Sequence, residues 1–136
     1  MSYWEPESVE NPFASIEQID RWPAGEIVFK EGEKPGGIYI LHSGTVDMVF
    51  SGRNGIRKPL RTALPGEIVG LSDAVSNNAH DCTATTHTNA KIGFVPIETF
   101  QRRLAETPAL WLDIARYLSV DLDSCWASMR TLATAR

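Results

Sequence analysis

Cysteine is scarce in this 136-residue chain. Cys82 and Cys125 lie far apart and form neither a disulfide framework nor a metal-ligand pair, so reduced thiols are expected. Long apolar runs are missing too. No stretch approaches the ~20 residues of a membrane span, and the first ten residues carry Glu5, Glu7 and Glu10 where a signal peptide would be apolar. A cytoplasmic protein with no membrane contact is the expectation. Positive charge is in deficit: Lys and Arg number 13 against 17 Asp and Glu, a formal net charge of -4. That balance is a poor match for the phosphates of a duplex and argues against direct binding of nucleic acid. The chain also lacks a Ser-His-Asp order, a phosphate loop and a metal-binding repeat, so neither an enzyme nor a resident cofactor or metal is expected.

What is present reads as one globular unit over residues 1–136, with a hydrophobic share of 43% and a charged share of 22%. Asn11-Pro12 offers an N-cap followed by proline, with Phe13, Ile16 and Ile19 behind it, and predicts a short first helix. All ten glycines then fall between Gly25 and Gly93, cutting short apolar runs in the manner of closely spaced antiparallel strands. Strands are expected at 26–30, 37–42, 45–50, 68–69, 83–87 and 90–95, rich in β-branched and aromatic residues. Ser43-Gly44 and Asn54-Gly55 suit tight hairpins, and Pro65-Gly66 marks a further turn. About eight strands over residues 20–96 suit a double-stranded β-helix, or jelly roll, making the fold class mainly β with helices, α+β.

After Pro96 the apolar period changes from two to about 3.6. Ile97 to Leu104 predicts a short helix, and Thr107-Pro108 opens a long one running toward Thr134. Leu110, Ile114 and Tyr117 form one stripe, expected to dock on the roll. Ala115, Leu118, Leu122, Cys125, Met129 and Leu132 form another, at alternating steps of three and four. The second stripe is a heptad seam and predicts a homodimer through the C-terminal helix.

Three glycine motifs come in a telling order: Gly25-Glu26-Ile27-Val28-Phe29-Lys30-Glu31-Gly32, Gly37-Ile38-Tyr39-Ile40-Leu41-His42-Ser43-Gly44, and Pro65-Gly66-Glu67-Ile68-Val69-Gly70. With the helices that follow, the chain resembles the Crp/Fnr-like cyclic-nucleotide-binding domain over roughly Ile19 to Met129. The resemblance implies a regulatory sensor for signal transduction or transcription regulation, dimeric, with a phosphate-binding cassette just after the Pro-Gly-Glu turn. In this family a Glu after the cassette glycine holds the ribose, and an Arg further on pairs with the cyclic phosphate through its planar fork. No helix-turn-helix follows the long helix, so a sensor domain without one is expected, either as a whole protein or as a piece of a longer one.

The cassette departs from that pattern. Gly70 matches the glycine, but Leu71 stands at the Glu position, and His80 and Asp81 stand around the Arg. A carboxylate where a cation should meet a phosphate turns attraction into repulsion, and a leucine cannot accept a ribose hydroxyl. Weak or absent binding of cAMP and cGMP is therefore expected, and a different small ligand remains open. The run from Val69 to Val75 is similar to Fnr-type members, which carry a cysteine-bound iron–sulfur cluster near the N-terminus, whereas Cys82 is the first cysteine here. In family terms Gly70, Leu71, Ser72, His80, Asp81, Cys82 and Thr83 line the ligand pocket, with Trp126 at its base end. Two other readings stand beside this one: a ligand-free scaffold that dimerises or docks on a protein partner, and a haem or redox sensor using His80 and Cys82, whose spacing is short for that role. By residue type alone His80 and Asp81 read as solvated loop residues, His42 and His87 as structural, and Cys125 as a core residue.

Overall fold

The computed structural model describes residues 12–51 and 57–118. Eight strands form two four-stranded antiparallel sheets. The first sheet has the order β1 (Gln18–Trp22), β8 (Ala90–Pro96), β3 (Gly37–Ser43), β6 (Ile68–Val69). The second has the order β2 (Ile27–Phe29), β7 (Thr83–Thr86), β4 (Val46–Ser51), β5 (Arg57–Ala63). Helices α1 (Leu71–Ser76) and α2 (Ile97–Glu106) are followed by a helix over 110–118, here α3. This is the jelly roll with helices that the glycine spacing anticipates.

The period-two alternation of β3 divides the interior. Ile38 and Ile40 face a cluster built with Phe13, Phe100, Leu104, Leu110 and Ile114, while Leu41 and Tyr39 face the second sheet, among Val28, Phe29, Val46, Ala84 and Ile92. The first sheet is thus covered on both faces, which explains why Ile38 to Leu41 is a continuous apolar run and not an alternating one. The second sheet buries one face. Its edge strand β5 carries Pro59, which has no N–H to offer, and an extra residue beside it shifts the register between Met48 and Val49. Both features blunt an edge that could pair with another chain.

Two expectations fail for physical reasons. The short first helix is only a turn, closed by the N–H groups of Ile16 and Glu17 donating to the Phe13 carbonyl, after which the chain enters β1 and Ile19 pairs with Gly93. Pairing with β8 outweighs three apolar residues of helical spacing. Ser43-Gly44 is not a hairpin, because β3 and β4 belong to different sheets. Gly44, at φ 83°, is the corner where the chain changes sheet, so close to the 89–90 backbone that a Cβ would lie 2.3 Å from the Asn89 carbonyl oxygen. The Asn54-Gly55 turn lies outside the described residues, although β4 and β5 on either side of it pair antiparallel.

The Leu110, Ile114 and Tyr117 stripe docks on the roll, all three at most 4% exposed. The Tyr117 hydroxyl accepts from the Ile68 N–H and donates to the Ile68 carbonyl, tying α3 to β6. Of the seam residues, Ala115 is exposed and Leu118 is partly buried against the roll's cluster. Leu122, Cys125, Met129 and Leu132 lie outside the described residues. Two of the histidines take the structural places expected of them. His42 donates from Nε2 to Glu17 at 2.6 Å in the interior, and His87 pairs with Asp47 at the surface.

Candidate functional site

β6 ends at Val69 and the chain turns sharply at Gly70, whose φ of 83° any L side chain would strain to adopt. The space there is also limited: a Cβ on Gly70 would meet Phe29 at 3.2 Å and His80 at 3.5 Å. α1 follows at once because its sequence is amphipathic over one and a half turns. Leu71 and Ala74 are buried against the roll while Ser72 and Ser76 face solvent. Asn77, in the left-handed conformation that asparagine tolerates, ends the helix by donating its N–H to the Asp73 carbonyl.

The loop after α1 is held from both sides. The His80 N–H donates to the Glu33 carbonyl at 2.8 Å, and the His80 carbonyl accepts from the Gly32 N–H at 2.7 Å. Beside them the Glu31 N–H donates to the Thr83 hydroxyl at 3.0 Å. These bonds lash residues 80–83 to the glycine-containing loop between β2 and β3.

The His80 side chain turns inward. Its Nδ1 lies 2.8 Å from Asp73 Oδ2. A carboxylate only accepts, so Nδ1 carries the proton. The imidazole lies flat on Phe29, ring centroids 3.7 Å apart and planes at 12°. With its residue 3% exposed, His80 is a buried, paired group and not the solvated loop residue its type suggests. The ordering of two neighbours explains this: Phe29 supplies a flat apolar face and Asp73 a fixed acceptor, so the ring loses water without losing its hydrogen bond.

The charge around this centre is negative. Asp81 lies at the surface of the loop with its carboxyl turned partly inward, and its pKa is raised by that partial desolvation first and by the Asp73 carboxylate second, against a smaller opposing pull from His80 and Cys82. Burial, and then the charge of Glu33, raise the Tyr39 phenol, whose ring is tilted against Phe29 at 6.0 Å.

The remaining pocket residues of the sequence reading divide into three groups. Gly70, Ser72 and Thr83 lie along the cassette, Ser72 in solvent and Thr83 half-buried. Leu71, 1% exposed, is in the cluster beneath the helices, and Cys82, 2% exposed, is in the cluster between the sheets. Trp126 lies outside the described residues. Cys82 lies in the cluster between the sheets with its thiol hydrogen-bonded to the Asp81 carboxyl, and His80 is engaged with Asp73. Among the described residues no cluster of three or more His, Cys, Asp or Glu could hold a metal ion. Sequence reasoning missed Asp73 and Phe29. Asp73 is seven residues from His80 across a helix end, and Phe29 comes from another part of the chain, so neither pairing leaves a local pattern.

Residues 19–107 match the cyclic nucleotide-binding domain family. An anaerobic regulatory protein of Haemophilus influenzae is 26% identical over 99 residues, which cover 73% of this chain and 38% of that protein. Among solved structures, the catabolite activator protein of Thermus thermophilus is similar with a TM-score of 0.77 at 20% identity, covering 94% of this chain and 60% of that one. The c-di-GMP-responsive global regulator CLP of Xanthomonas campestris gives 0.76 at 21% identity, covering 92% and 63%. The chain thus spans less than two thirds of each of these proteins. With residues 19–107 matching and the jelly roll and docked helix in place, the chain belongs to the cyclic nucleotide-binding domain family.

Proposed function

We propose that this domain is a regulatory small-molecule sensor whose cassette does not take a cyclic nucleotide tightly in the family's usual pose. The observation that carries the reading is His80: a buried imidazole, paired with Asp73 and stacked on Phe29 beside Gly70, stands where the family places a cation for the phosphate. Asp73 and Asp81 add carboxylates at the same place, and an anion approaching them is repelled. Leu71, enclosed in the core, offers nothing to a ribose hydroxyl. A ligand for this site is one that tolerates acidic surroundings, neutral or cationic in the part that meets His80.

The route from site to output is short. Gly70 follows β6 directly, and β6 is tied to α3 through Tyr117 and Ile68. A ligand that moves the cassette also pulls on α3, and through the heptad seam on a second copy in a cytoplasmic homodimer. This is non-enzymatic regulation, of signalling or transcription, by a shift between two arrangements of the same elements.

The closed state of His80 favours a second reading equally well: a ligand-free scaffold that keeps the roll for dimerisation or for a protein partner. Thermal shift of the purified chain against cyclic and linear nucleotides, small neutral and cationic metabolites, and haem separates the two. A ligand specific for the native state must raise the melting temperature. A non-nucleotide compound that does so, and loses its effect in His80→Ala, supports the sensor; no shift with any compound leaves the scaffold.

A further inference from the structure

Two open sheets have four edges, and three of them are closed against a further strand. β6 is two residues long, and the Tyr117 hydroxyl occupies both the N–H and the carbonyl of Ile68. β2 is three residues long with a register shift between Ile27 and Phe29, and β5 has Pro59 beside an extra residue. β1 has none of these devices. It pairs with β8 from Gln18 to Trp22 without a shift, contains neither proline nor glycine, and has no strand on its other side. Gln18, Ile19, Asp20 and Arg21 are exposed, and among the described residues the backbone of 18–22 bonds to nothing but β8.

The open edge is held at both ends. Before it, Glu17 reaches His42 at 2.6 Å through space that Gly93 leaves free, since a Cβ there would lie 1.7 Å from the Glu17 carboxylate oxygen. After it, the Ala24 N–H donates to Asn89 Oδ1 at 3.0 Å and the Gly25 N–H to the Thr86 carbonyl at 2.8 Å. About 17 Å of extended backbone is thus fixed in place, and a segment that adds to it meets a preformed partner. A second copy of this chain is a poor one. Two β1 strands meeting edge to edge about a two-fold axis run antiparallel, and the register that pairs all five residues sets Asp20 against Asp20, a destabilising pair of like charges. A slip of two residues leaves only three paired.

A strand of complementary charge meets no such repulsion. Among the described residues neither Asp20 nor Arg21 has an ion pair, so both charges are available to a newcomer. Ile19, 43% exposed, lies between Gln18 and Asp20 on the opposite face of the strand from both. We propose that β1 is a docking edge for an extended segment of a partner protein, which adds antiparallel as a fifth strand with an acidic residue opposite Arg21, a basic residue opposite Asp20 and an apolar residue opposite Ile19. Read from its N-terminus the segment runs acidic, basic, apolar. Main-chain hydrogen bonds hold it, and the three side chains select it.

Two capped peptides serve as probes, Thr-Val-Glu-Lys-Val-Thr and its charge-swapped form Thr-Val-Lys-Glu-Val-Thr, followed on the whole chain by amide ¹H–¹⁵N chemical shifts. The expected result is saturable shifts at residues 18–22 with the first peptide, and binding of the swapped form weaker by about threefold or more. Reversing the edge with Asp20→Lys and Arg21→Glu together, a change at two exposed positions, should invert that preference. Equal affinity for the two peptides, or a preference that the reversed chain leaves unchanged, would overturn the proposal. Shifts centred away from 18–22 would do the same, as would shifts at β1 that grow with protein concentration alone and so put a second copy on the edge. No shift up to about 10 mM peptide removes the site. None of these results depends on what the cassette binds.

Discussion

Replacing His80 by alanine removes three things at once: the hydrogen bond to Asp73, the stack on Phe29, and most of a buried side chain that is 1% exposed. Losing a buried partner of a charged group costs about 1 to 3 kcal/mol, and a ring pair contributes about 0.5 to 1.5 kcal/mol beyond its area. Relaxation of the loop offsets part of this, so the expected loss is about 2 to 4 kcal/mol. Urea denaturation should show it as a lower midpoint at unchanged slope, and heating as a fall of roughly 8 to 16 °C at about 4 °C per kcal/mol. The pairing itself is isolated by a double-mutant cycle with Asp73→Ala. Because both single variants break the same contact, the double variant should fall short of the sum by about 1 kcal/mol. A His80→Ala variant within about 0.5 kcal/mol of wild type, or a strictly additive double variant, would show that the imidazole is not the closure of the cassette.

The Asp81 carboxyl is raised in the folded state, so the native protein holds its proton more tightly than the unfolded chain, and stability from this group falls as pH rises from about 3.8 through the raised value. Above that window the ionised Asp81 opposes folding, and Asp81→Asn should melt higher than wild type at pH 7, the two converging toward pH 3; a variant less stable at neutral pH would reverse the sign of the argument. Tyr117→Phe leaves the buried Ile68 N–H without its acceptor, at a cost of about 1 to 3 kcal/mol. Hydrogen exchange at Ile68 should quicken in that variant ahead of the rest of the sheet, and unchanged protection would mean that α3 is not tied to β6 through this hydroxyl. Leu122→Asp should convert a dimer to a monomer in sedimentation equilibrium while leaving the far-ultraviolet spectrum of the roll intact; a wild-type monomer at tens of micromolar, or a dimeric variant, would show that the heptad seam has another use.

Much of the roll is legible in the sequence because its signals are local. The β-branched runs at 37–42 and 45–50, the Pro65-Gly66 turn and the change of period after Pro96 each fall where an element begins or ends. What is not legible is decided by partners distant in the chain. Ile16 and Ile19 read as a helix until β8 is available to pair with β1, and Ser43-Gly44 reads as a hairpin because a sheet corner and a hairpin both need a residue of positive φ. The cassette shows the same divide. Gly70 declares itself through its motif, and the departure at Leu71 and His80 is plain from residue type. That His80 is buried at all depends on Phe29 and on the end of α1 placing Asp73 beside it. Leu71 carries a further consequence: Leu71→Glu, an obvious way to restore a ribose acceptor from sequence alone, would put a carboxylate into the core and so would test folding before it tested binding.

Calorimetric titration of cAMP into the full chain tests the closed cassette most directly. With His80 held on Phe29 by Asp73, the proposed reading predicts no saturable heat at micromolar nucleotide. A dissociation constant below about 1 μM, equivalent to roughly 8 kcal/mol of binding free energy, would contradict it and require a cation elsewhere in the chain to replace the missing arginine.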